Sequence, residues 1–78
     1  MDTLLGSIYL IAMNFAPQGF YPCDGRHLPI SQYTALFSLL GTTYGGNGTT
    51  DFALPKLAAP APGLQYVIAW EGIYPARP

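Results

Sequence analysis

Cys23 and His27 stand four residues apart and could in principle act as a thiol nucleophile with an imidazole base. That chemistry also needs a third group to orient the base and a pocket to hold substrate. Neither is visible around them, and Cys23 reads as a small buried hydrophobe beside a turn. Asp24 and Asp51 could share acid and base roles, yet Asp24 has a turn role in Asp24-Gly25 and Asp51 flanks a short extended run. Tyr44-Gly45-Gly46-Asn47-Gly48 has the glycine content of a phosphate-cradling loop, but no strand leads into it, no lysine follows it and no helix opens behind it. Asn47-Gly48-Thr49 is formally an N-glycosylation sequon, and the Thr49 and Thr50 hydroxyls could carry O-linked sugar. One cysteine and one histidine supply neither a disulfide nor a four-ligand zinc site. The reading is therefore non-enzymatic, with no catalytic, cofactor or metal residue assigned.

The composition points to contact with a partner. Of 78 residues, 50% are hydrophobic and 9% charged, against a usual charged share of about 25%. A domain this small buries only about 60% of the surface its unfolded chain exposes, so part of the apolar surface is expected to meet another molecule. Near-neutral charge favours self-association, and a formal net charge of -1 supplies no basic field for nucleic acid or anionic lipid. The apolar run from Leu4 to Met13 is preceded by Asp2, lacks a small-x-small cleavage site and is too short to span a bilayer. It is read as mature structure, with no membrane insertion.

The elements that must position these residues follow from pattern. Leu5 to Ala12 is apolar almost without alternation and predicts a strand covered on both faces. Phe20 to Cys23 and Arg26 to Leu28 flank Asp24-Gly25, which predicts a tight hairpin with Pro22 on an edge strand. Ser31 is the expected N-cap of a helix presenting Tyr33, Leu36, Phe37 and Leu40 on one face and stopped by Gly41. Thr42 to Thr50 is an exposed loop, and Asp51 to Pro55 an extended piece burying Phe52 and Leu54. Ala58 to Gly63 is a Pro/Ala spacer. Leu64 to Trp70 is a second long strand with Leu64, Tyr66, Ile68 and Trp70 on one face.

Several spaced blocks then agree in order with a known family. Phe15-Ala16-Pro17-x-Gly19-Phe20, Cys23-Asp24-Gly25-Arg26, Ile30-Ser31-Gln32, Ala35 to Thr42, Tyr44 to Gly48 and Phe52-x-Leu54-Pro55 resemble the phage tail collar domain. The chain is also similar to the bacterial microcystin-dependent proteins, many of which end in a strand followed by Gly-Ile-aromatic-Pro-x-Arg, as Gly72 to Arg77 does. In longer relatives the Leu-Pro block leads into a glycine-rich distal region, sometimes with His-x-His metal ligands. Here Lys56-Leu57-Ala58-Ala59 and the spacer run directly into the last strand. The resemblance implies a non-catalytic structural module, and a metal-bearing tip is not carried over.

The expectation is a small β-rich α+β module with one short helix and two long apolar strands near the termini. Residues 1–57 form a tail-collar-like unit, 58–63 the spacer, and 64–78 a strand and tail completing the same domain. Its expected role is self-assembly in an extracellular or phage-like appendage or virion tail, as a homopolymeric filament. The expected assembly interface is Leu5, Ile8, Tyr9, Leu10, Ile11, Tyr66, Val67, Ile68, Trp70, Ile73 and Tyr74. The rival expectation is an adhesin or receptor-binding tip that holds a surface glycan through the Thr42 to Thr50 loop and exposed tyrosines.

Overall fold

The computed structural model describes residues 3–75. Asp2 and the Ala76-Arg77-Pro78 end of the tail motif lie outside the described residues. In chain order the elements are β1 (Ile8–Ile11), β2 (Phe20–Pro22), β3 (His27–Pro29), a 3-10 turn (Ile30–Gln32), helix α1 (Thr34–Leu40), β4 (Asp51–Ala53) and β5 (Gln65–Ala69). One antiparallel sheet has the order β1-β5-β2 and a second pairs β3 with β4. This is the small α+β module expected.

β5 is the central strand. Its Ile68 faces Ile8 on one side and Tyr21 on the other, and Val67, Ile68 and Ala69 are buried. Ile68 joins Leu5, Cys23, Leu28, Leu36, Phe52 and Leu54 in one core, flanked by half-buried Tyr21, Tyr33, Phe37, Leu40, Tyr66 and Trp70. The rings interlock: Tyr21 stacks on Trp70 at 5.5 Å, Tyr33 meets Trp70 edge-on at 5.8 Å, and the Tyr21 and Tyr33 hydroxyls share a 2.6 Å hydrogen bond. Such pairs add to plain area burial.

Three expectations need correction. The strand predicted to be covered on both faces is an edge strand, and Ile8, Tyr9 and Leu10 are 42%, 45% and 47% exposed. An unbroken apolar run says that a segment seeks cover, and here β5 took the central place. Second, Asp24-Gly25 is a corner between sheets: β2 pairs with β5 and β3 with β4. The two-residue hairpin turn needs positive φ at both positions, but only Gly25 has it (φ 83), because no non-glycine residue does among those described. Asp24 instead accepts from the Arg26 backbone N–H at 3.1 Å, an Asx-type turn. Third, Ser31 lies in the 3-10 turn, and α1 starts after Tyr33 with no side-chain cap. Gly41 does stop the helix, at φ 59, with its N–H on the Phe37 carbonyl at 2.7 Å. Leu36 is enclosed while Tyr33, Phe37 and Leu40 pack against the core, as the spacing required.

Candidate assembly surface

Two antiparallel sheets have four outer strand edges, each a row of backbone donors and acceptors open to pairing unless something covers it. In an antiparallel ladder alternate residues turn their N–H and C=O toward the partner and the others turn theirs outward. On β2, the Trp70 N–H reaches the Gly19 carbonyl (3.0 Å) and the Cys23 N–H the Tyr66 carbonyl (3.0 Å), so Phe20 and Pro22 are the outward residues. The Phe20 N–H is held by the Pro17 carbonyl at 3.1 Å, and Pro22 has no N–H. That edge offers no free donor.

On β4 the outward residues are Asp51 and Ala53, and the glycine-rich loop covers them. The Ala53 N–H donates to the Gly45 carbonyl (3.1 Å), the Gly48 N–H to the Asp51 carbonyl (3.0 Å), and the Asp51 N–H to Asn47 Oδ1 (3.2 Å). Asn47 Oδ1 also accepts from the Thr49 and Thr50 N–H groups at 2.7 and 2.8 Å, while its Nδ2 donates to Thr50 Oγ1 at 2.9 Å. The loop can lie this close because Gly46 has no side chain: a Cβ there would run into the Phe52 backbone. Asn47, Thr49 and Thr50 are exposed, and Asn47 organises the loop. On β3, Pro29 occupies one of the outward positions.

β1 is different. Gly6, at φ 84, and Ser7 both bond Ala69, the Gly6 N–H giving to the Ala69 carbonyl and the Ala69 N–H to the Ser7 carbonyl, each at 2.9 Å. That bulge sets the phase. Tyr9 and Ile11 then bond β5 opposite Val67 and Gln65, and Ile8 and Leu10 turn their N–H and C=O outward. Among the described residues nothing bonds those four groups. The surrounding side chains are apolar: Leu4, Ile8, Tyr9, Leu10, Met13 and Phe15 are all exposed, and Ile73, bridged to Leu4, extends the stripe with Tyr74.

The polar side chains are occupied structurally. Burial, with the nearby Asp24 charge adding to it, pushes the Cys23 thiol up to about 11, so it stays protonated at neutral pH. The His27 ring faces Asp51 across 3.3 Å. The Arg26 guanidinium donates to both Asp24 oxygens (3.2 and 3.1 Å), which holds the Asp24 carboxyl below its usual value, and stands 5.0 Å over the Tyr21 ring. Among the described residues no three His, Cys, Asp or Glu side chains gather as metal ligands, and no helix is long and apolar enough to cross a membrane.

The family model of the phage tail collar domain matches residues 6–62. The chain belongs to the phage tail collar domain family. Comparison with curated proteins gives no match. The family is a structural phage-tail domain and not an enzyme family, which supports a phage-tail structural role for this collar chain.

Of the residues expected at an interface, the collar fold places Ile8, Tyr9, Leu10, Ile73 and Tyr74 on the exposed stripe and leaves Ile11, Tyr66 and Trp70 half-buried. Leu5, Val67 and Ile68 are buried in the protomer and support the surface from beneath. β1 and β5 also pair with each other, so they are one surface and not two patches at opposite ends. Sequence reasoning missed Met13 and Phe15, whose exposure follows from the loop after β1, and the edge-covering role of Tyr44 to Gly48. The signal for that role was Asn47 set four residues before Asp51 among glycines.

Proposed function

We propose that this collar chain is a non-catalytic structural subunit that assembles with copies of itself through the β1 stripe, in a virion tail or a related extracellular appendage. The observation that carries it is the conjunction at β1 of two outward donor–acceptor pairs with exposed Ile8, Tyr9 and Leu10, an edge of the kind proteins elsewhere protect with charge, proline or cover. A homopolymeric filament needs a second contact besides β1, and Phe15 at one end of the stripe or Ile73 and Tyr74 at the other supply candidates. Exposed Tyr44, in the same loop as exposed Thr49 and Thr50, supports the second reading, a tip module that binds a surface glycan. Sedimentation and negative-stain microscopy from micromolar to millimolar concentration separate the two. Mass that grows with concentration, or filaments, supports assembly. A monomer throughout, with signal on a glycan array, overturns it in favour of the tip.

A further inference from the structure

The β1 edge is complementary to itself. An antiparallel copy placed with the two-fold axis at Tyr9 sets Ile8 opposite Leu10 of the second copy, and Leu10 opposite its Ile8. Both residues are outward-turned, so each of these pairs exchanges two hydrogen bonds, and all the free N–H and C=O groups of Ile8 and Leu10 in both copies are consumed. Shifting the register by two residues instead sets Leu10 opposite Gly6, whose N–H is already given to Ala69, or Ile8 opposite Ala12, beyond the end of β1. Tyr9 would face its own copy as a close, non-hydrogen-bonded pair, on the side of the sheet where it already meets Phe20 edge-on at 5.6 Å. Ile8 and Leu10 would pack together on the other side.

We infer that two copies join edge to edge through β1 in this two-fold register, making one continuous six-stranded sheet with the order β2-β5-β1-β1-β5-β2. The proposal rests on the self-assembly reading above and names its contact. Charge favours a second copy over a foreign strand. Residues 3–22 contain no charged side chain, so nothing repels an identical neighbour and nothing selects a charged partner. The far edge of the same sheet is closed by Pro22 and by the Phe20 bond to Pro17, so the sheet cannot continue head to tail. Pairing through β1 is isologous and stops at two copies. Any longer assembly uses another surface to link such pairs.

Three measurements on the full chain test this. Tyr9→Cys should oxidise to a covalent dimer, because a non-hydrogen-bonded pair brings Cα atoms to about 4.5 Å, inside the disulfide range. Ile8→Cys should not, since its partner is Leu10 and the two copies of position 8 lie about 7–8 Å apart on the diagonal. Amide exchange at Ile8 and Leu10 should slow as concentration rises, while Tyr9 and Ile11, bonded to β5, stay protected throughout. Leu10→Pro, which removes an outward N–H and no ladder bond to β5, should weaken association roughly tenfold, the effect of one or two net hydrogen bonds. Should that variant misfold, the cysteine pair and the exchange data still decide. Assembly with fast exchange at Ile8 and Leu10 overturns the edge pairing and leaves the self-assembly reading standing. A monomer at millimolar concentration without the Tyr9→Cys cross-link overturns both.

Discussion

Gly46 lies against Phe52 so closely that a Cβ on the glycine would overlap the Phe52 Cα and come within 2.8 Å of the Asp51 carbonyl oxygen. Because φ there is also +94, an Ala at this position meets both left-handed strain and a backbone clash. Gly46→Ala should cost about 2–5 kcal/mol, the sum of roughly 1–2 for strain and 1–3 for overpacking. Gly63→Ala, at φ +83 but facing open space, should cost only the strain. Urea denaturation of the two variants checks the difference, and equal midpoints would remove the edge-covering role from the loop.

The core has its centre at Phe52, which has no exposed surface and meets the Phe37 ring at 5.5 Å. Phe52→Ala should destabilise by about 3–5 kcal/mol. Phe37→Ala, which removes a half-buried ring, should cost clearly less. Thermal melts that rank them the other way would place the core on the helix.

Ile68 tests burial and not assembly. With no surface exposed, Ile68→Lys should unfold the protomer, since an unpaired ammonium there has no partner. Ile8→Lys, at the 42% exposed edge, should leave the circular dichroism spectrum intact. A folded Ile68→Lys protein would contradict the central position of β5.

Alkaline pH should weaken the fold. The Cys23 thiol is raised from 9.0 to about 11, and Tyr33 is raised by its hydrogen bond with Tyr21 and by burial. For a group that is neutral when protonated and raised on folding, the stabilisation is complete below the unfolded value and lost as pH climbs through the folded one. The urea midpoint should therefore fall between about pH 9 and pH 11. Cys23→Ala should flatten part of that fall, and an unchanged slope would mean the thiol is solvated.

Removing the Asn47 side chain strips its acceptor from three backbone N–H groups. Asn47→Ala should open the loop locally, and amide exchange at Asp51 and Ala53 should accelerate well beyond that at Val67 in the core. Unchanged protection at Ala53 would show that Gly45 holds the edge without Asn47.

What could be read in advance divides along local and non-local lines. The Leu36 face of α1, its stop at Gly41 and the burial of Phe52 and Leu54 depend on short-range periodicity and turn chemistry, and the sequence carries those signals directly. The pairing partners of β1, β2 and β5 depend on contacts between residues far apart in the chain, as Ile8 with Ile68. Nothing in an apolar run tells an edge strand from a central one. The Asp24-Gly25 pair misled for a related reason: a turn dipeptide specifies a change of direction, whereas the destination of β3 was decided by Phe52 opposite Leu28. The open edge itself follows from a parity, the phase set by the Gly6–Ser7 bulge: a lone glycine in an apolar run signals a bulge, but not which residues it turns outward.

The parallel bridge of Leu4 with Ile73 bears on mechanical load. Its two hydrogen bonds, Leu5 N–H to the Ile73 carbonyl and Ile73 N–H to the Thr3 carbonyl, are each 2.8 Å, and Gly72 lies against Thr3 too closely for any side chain. Because the two segments run in the same direction, the chain enters at one end of the bridge and leaves at the other. Tension applied across residues 3 and 75 therefore slides the segments past each other and strains both bonds together, where an antiparallel bridge would unzip one bond at a time. A tail component pulled through residues 3 and 75 would thus load this bridge in shear before force reached β1 or the core beneath it.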